Sequence, residues 1–144
     1  MGDDTKVEKE IKVSIPMLPD MELAVSSLAT ALAQSINLKA DKVDEIKMAI
    51  IEACLNSFEH SKSKDQMVHV RFMVLPKELH IIVRDNGRGF DPVTVKKPDI
   101  QEIMSNPQQR KRGWGLKIIE SLMDSVDVRS DANGTQIIMT KSRD

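Results

Sequence analysis

The chain has 144 residues with 40% apolar side chains, enough for one domain with a buried core and too few for a second catalytic module. Its 21 basic and 22 acidic side chains give a formal net charge of −1, so no global field draws it to nucleic acid or to an anionic membrane. A lone cysteine, Cys54, excludes an intramolecular disulfide framework and a cysteine metal cluster, and it reads as a buried packing thiol. No apolar run approaches the ~20 residues of a membrane span and the charged N-terminus lacks the apolar stretch of a leader, so a cytoplasmic location is expected.

In chain order, residues 1–10 read as a frayed tail and residues 11–144 as a single domain. Ile11 to Ile15 alternates apolar and polar residues and stops at Pro16, which predicts a short strand. Pro19-Asp20 offers a helix start, and Leu23, Leu28, Ala31 and Leu32 carry a first helix to about Asn37. A second helix runs from Asp41 to about Phe58, with Val43, Ile46, Ile50 and Cys54 on one stripe.

Residues 67–75 and Leu79 to Arg84 alternate with period two around Pro76-Lys77-Glu78, the pattern of an antiparallel hairpin. Between Phe90 and Gly113 the chain is rich in proline and poor in periodicity, and a connection this long in a compact domain is more often functional than inert. Leu116 to Met123 returns to helical spacing, Val126 and Val128 begin another strand, and Asn133-Gly134 turns into a last strand, Thr135 to Thr140. This order predicts an α/β (α+β) two-layer sandwich, a mixed, mostly antiparallel sheet with its helices on one face.

Three segments carry candidate chemistry. Asp85-Asn86-Gly87-Arg88-Gly89-Phe90 places a carboxylate at a strand end, where it can accept a hydrogen bond from a purine amino group, and follows it with glycines that let backbone pass close to a ligand. A plain hairpin turn is the alternative reading. Upstream, Glu52 and Asn56 lie one helical turn apart and so share a side of the second helix, with Glu59 and His60 extending the strip. A solvated face is the bland reading there, but the apolar residues around the pair predict a covered helix whose polar strip has a partner. Asn56 offers a neutral oxygen suited to Mg²⁺, and Glu52 can accept or orient a proton near a terminal phosphate. Downstream, Arg110, Lys111 and Arg112 could neutralise that phosphate, while Gly113-Trp114-Gly115-Leu116 is expected to open a helix and offer its N–H groups. No Walker loop is present.

Taken together, residues 52–60, 85–92 and 112–116 resemble the N, G1 and G2 boxes of the GHKL ATPases and kinases. Phe90-Asp91-Pro92 and the closing segment 116–124 make the chain most similar to the bacterial anti-sigma-factor serine kinases. The resemblance spans about residues 11–141 and implies the Bergerat-type ATP-binding fold. It implies Glu52 as catalytic base, Asn56 as Mg²⁺ ligand, Asp85 at the adenine amino group, Gly87 and Gly89 shaping the pocket, and Thr135 supporting the adenine end. Residues 92–112 become a lid over the phosphates, with Gly113 and Gly115 as its hinge and phosphate contact. Trp114 departs from the smaller residue usual in the family.

The implied activity is ATP-dependent phosphorylation of a small anti-sigma-factor antagonist, with sequestration of a sigma factor in another complex and a homodimeric state. Met17, Leu18, Met21, Leu23 and Val25 are the expected dimer surface. A nucleotide-gated binding module without transfer is the alternative. A histidine-kinase catalytic domain is less well supported, since no helix with a phosphoacceptor histidine precedes residue 11.

Overall fold

The computed structural model describes residues 4–61, 63–87 and 107–144, with the backbone alone for 107–114. Five strands form one sheet: β1 (Lys9–Pro16), β2 (Met67–Val74), β3 (Glu78–Asp85), β4 (Ser125–Asp131) and β5 (Gly134–Ser142). Their order is β1-β2-β3-β5-β4, and every ladder is antiparallel. Among the described residues three helices complete the second layer: α1 (Met21–Ser35), α2 (Ala40–His60) and α3 (Pro107–Leu122). Among the described residues no helix is long and apolar enough to cross a membrane.

Strand alternation sets the core. Val68, Val70, Phe72 and Val74 on β2, Leu79, Ile81 and Val83 on β3, and Ile137 and Met139 on β5 all point to the helical side and are buried. From the helices, Val25, Ala29, Leu32, Val43, Ile46, Ile50, Cys54 and Ile119 meet them. The predicted stripe of α2 is therefore the observed one. In α1 it is not: Leu23 and Ala31 are exposed, and the buried positions are Val25, Ser26, Ala29, Leu32 and Ala33. Leu23 lies two residues, about 200°, away from Val25 around the helix. Ser26 can enter the core because its hydroxyl donates to the Leu23 carbonyl at 2.9 Å, which hides its polarity from the pattern.

Two boundaries differ further from expectation. The first strand begins at Lys9, inside the stretch read as a tail, and Glu8 already donates its N–H to the Val74 carbonyl at 2.7 Å. The third helix begins at Pro107, well before the expected Leu116, and overlaps the segment read as lid. Proline suits a first helical position, and Gln108 to Lys111 favour helix, but Gly113 and Gly115 read as punctuation.

Cys54 is buried, and burial first, then the neighbouring Glu22 carboxylate, push its thiol up to about 12. Because the folded-state value is raised, the stability linked to this proton is complete below the ordinary thiol range and is lost as pH climbs through that range toward about 12. Iodoacetamide in mildly alkaline buffer should leave Cys54 unmodified in the folded protein and label it in urea. Equal labelling in both states would contradict its place in the core.

Candidate functional site

The apolar side of α2 is committed to the sheet and to α1, which leaves Glu52 half-buried and Asn56 buried on the turns that face α3. α3 answers with Gly115. A Cβ built on that glycine would lie 3.6 Å from Glu52 Oε2 and 3.9 Å from Asn56 Oδ1. Those are ordinary contact distances, so packing alone does not demand glycine; its bare Cα leaves a gap no wider than a methyl group in front of the two polar groups. Leu116, next in sequence, is half-buried and packs on the core.

A second group lies at the end of β3. Asp85 points inward, is 4% exposed, and accepts the Gly87 N–H on Oδ1 at 3.0 Å. Thr135 is its partner across the β3–β5 ladder, also buried, with its hydroxyl 2.9 Å from Ser130 Oγ. The strands are this close because of Gly134, whose φ is +146° and whose added Cβ would fall 2.1 Å from the Asp85 carbonyl oxygen. Only glycine fits there. The sequence marks Gly134 as a turn residue but carries no sign of this second role.

The structure also supplies a residue that sequence reasoning missed. Asp65, in the connection between α2 and β2, accepts hydrogen bonds from Ser63 Oγ, from the Met67 N–H at 3.1 Å and from Asn86 Nδ2 at 3.0 Å, with His69 Nε2 at 3.4 Å. Ser63 first and Asn86 second hold its carboxyl well below the usual range. Asp65 thus ties down Asn86, between Asp85 and Gly87. Loop residues with no periodicity give no signal for such a long-range contact.

Other expected residues are placed only in part. Gly89 and residues 92–106 of the lid lie outside the described residues. Arg110, Lys111, Arg112 and Gly113 have helical backbone in α3, and their side chains lie outside the described residues. The expectation that Gly113 to Gly115 offer free N–H groups at a helix start is corrected: the helix starts at Pro107, so these positions are interior and their amides belong to the i→i−4 pattern. Among the described residues no group of three or more His, Cys, Asp or Glu could hold a metal ion alone. A divalent cation here would need an oxygen such as that of Asn56 together with phosphate oxygens and water, a donor set that fits Mg²⁺.

The family described as Histidine kinase-like ATPase domain matches residues 15–141. Serine-protein kinase RsbW of Bacillus velezensis is 32% identical over 136 residues, covering 91% of this chain and 84% of that protein. Anti-sigma F factor of Clostridium kluyveri is 31% identical over 113 residues, 77% of this chain and 78% of that protein. Among solved structures, the RsbU and RsbW domains of a Mycobacterium tuberculosis protein superpose with a TM-score of 0.69 at 18% identity, covering 94% of this chain and 33% of that one. A histidine kinase domain of Erythrobacter litoralis gives 0.55 at 16% identity, with 90% of this chain and 62% of that one covered. At these identities the structural matches establish the fold.

Gly134→Ala should lower the thermal midpoint by about 3 °C or more, since a side chain in that conformation and clash costs ~1–3 kcal/mol. A variant melting with wild type would contradict the close approach of Gly134 to Asp85.

Proposed function

The chain belongs to the histidine kinase-like ATPase domain family, and on that footing we propose an ATP-dependent protein serine/threonine kinase that phosphorylates a small anti-sigma-factor antagonist and, in a second complex, holds a sigma factor. The observation that carries this reading is the convergence of Glu52 Oε2 and Asn56 Oδ1 of α2 on Gly115 of α3. Its kinship with proteins named as a serine-protein kinase and an anti-sigma factor supports the choice of reaction and of partners.

In this reading the inward carboxylate of Asp85 receives the adenine amino group. With Oδ1 engaged by Gly87, the other oxygen is the one offered to the base. Gly87 and Gly89 let backbone pass close to the purine, and Thr135 closes the adenine end. Asn56 would hold Mg²⁺, which when bound neutralises phosphate oxygens and orients them. Glu52 accepts the proton of the attacking serine hydroxyl, a role that a pure binding module would not need. Arg110, Lys111 and Arg112 meet the terminal phosphate. Gly115 lies on the phosphate side of the site, with Gly113 and Leu116 beside it on α3.

The chain acts in the cytoplasm as a homodimer. Of the residues expected at the dimer surface, Val25 is core and Met17 and Met21 are partly covered, which leaves Leu18 and Leu23, 57% and 48% exposed, for the partner. Sedimentation at micromolar concentration should show the dimer, and a 16.2 kDa species alone would exclude it.

Capture of partners from the native cell extract with ATP and with ADP supplies the substrate, and transfer of the γ-phosphate to a serine of the captured antagonist tests the reaction. Glu52→Ala should cut that transfer by ~10²-fold while leaving ADP affinity within a few-fold. Equal transfer by wild type and variant would refute Glu52 as the base.

A further inference from the structure

Lys141 stands next to last in β5, on the side of the strand that faces the helices. A cation is costly at such a position unless it is fully paired. Its side chain is only 5% exposed, and its ammonium donates to Glu45 Oε2 on α2 at 2.9 Å and to the carbonyl of Leu122. Leu122 is the last residue of α3, so this carbonyl is one of the orphans at the negative end of the helix. One ammonium therefore joins the two helices that carry Glu52, Asn56 and Gly115. The turn after α3 is fastened to the same strand: Asp124 donates its N–H to the Thr140 carbonyl at 2.9 Å, and Asp124 Oδ2 accepts the Ser142 N–H at 2.6 Å.

Spacing gives the contact a consequence at the site. Glu52 follows Glu45 by seven residues on α2, and Gly115 precedes Leu122 by seven on α3. Both intervals are two turns, about 10 Å. Holding Glu45 and Leu122 level at the Lys141 end thus holds Glu52 and Gly115 level at the other, on helices running in opposite directions. Ridge-and-groove packing of apolar side chains alone admits neighbouring registers. The Lys141 ammonium is buried and bonded to α2 and to the end of α3 at once, so its two partners are held in one relative position.

We propose that Lys141 is a positioning residue for phosphoryl transfer, a register pin that keeps Glu52 and Asn56 opposite Gly115. The inference rests on the reading of Asn56 and Glu52 given above. The side-chain bonds of Lys141 do not reach Asp85 and Thr135, which backbone pairing holds at the far end of the β3–β5 ladder. Loss of the pin should therefore separate two properties of nucleotide binding: recognition of the adenine end and the gain in affinity that Mg²⁺ confers on ATP.

The test is calorimetric titration of metal-free ADP, and of ATP with and without Mg²⁺, into full-length wild type, Lys141→Met, Glu45→Gln and Asn56→Ala. Lys141→Met should fold, since Glu45 is 36% exposed and can turn to water. Its ADP affinity should stay within a few-fold, while the Mg²⁺-dependent gain for ATP falls by ~10-fold, the range of a lost supporting partner. Glu45→Gln should move in the same direction by less. A wild-type gain in Lys141→Met alongside a lost gain in Asn56→Ala would overturn the pin and leave the site reading standing. A wild-type gain in Asn56→Ala would overturn both. ADP and Mg-ATP affinities falling in parallel would mean general damage and would also overturn the pin. Should Lys141→Met not fold, Glu45→Gln decides, and a wild-type gain there refutes the inference.

Discussion

The coverage of α2 on several sides at once is the constraint from which the site follows. Val43, Ile46, Ile50 and Cys54 bury against the sheet and α1, at roughly 1.5–3 kcal/mol for a fully covered large aliphatic side chain. That sum fixes the rotation of the helix. With rotation fixed, Glu52 and Asn56 have one direction left, toward α3. They are held there by apolar burial elsewhere on the same helix. α3 in turn must come close, and a residue without a side chain at 115 leaves room between the helices.

Several buried polar groups in this layer find partners, while Glu22 Oε2 and Ser61 Oγ have no hydrogen bond among the described residues. A buried polar atom without a partner costs ~1–3 kcal/mol, comparable to the gain from one aliphatic side chain, so each needs an explanation. Asp85 is answered in part by Gly87, Thr135 by Ser130, and Lys141 by Glu45 and the end of α3. The carboxylate of Asp85 retains acceptor capacity beyond one N–H, which suits a group that completes its bonding with a ligand. Asp65 extends the same support outward by holding Asn86, so the turn after β3 is fixed from both sides.

Much of this was legible in the sequence, for reasons that differ among elements. The hairpin β2–β3 and the stripe of α2 were readable because alternation and helical period are strong where one face is wholly buried. The spacing of Glu52 from Asn56, and the carboxylate before Asn86-Gly87, were readable because local geometry dictates them. Features set by tertiary context were not. Ser26 hides in the core through a local hydrogen bond, which displaced the predicted stripe of α1. Gly113 and Gly115 disguised the first half of α3. Lys141 lies one residue beyond the expected end of the last strand at Thr140, and its inward place depends on Glu45 and Leu122, 96 and 19 residues away.

The central claim is that nucleotide binds between α2, the start of the β3 turn and Gly115. Amide chemical-shift mapping tests it most directly, because it reports the backbone N–H groups of all residues but proline and the Asn56 side chain in one titration with Mg-ADP. The largest shifts should fall on Asn56, Gly87, Gly115 and Thr135, with little change at His80, Ile82 and Ile138 on the opposite face of the sheet. Shifts centred on that opposite face, or no shifts at saturating Mg-ADP, would contradict the account.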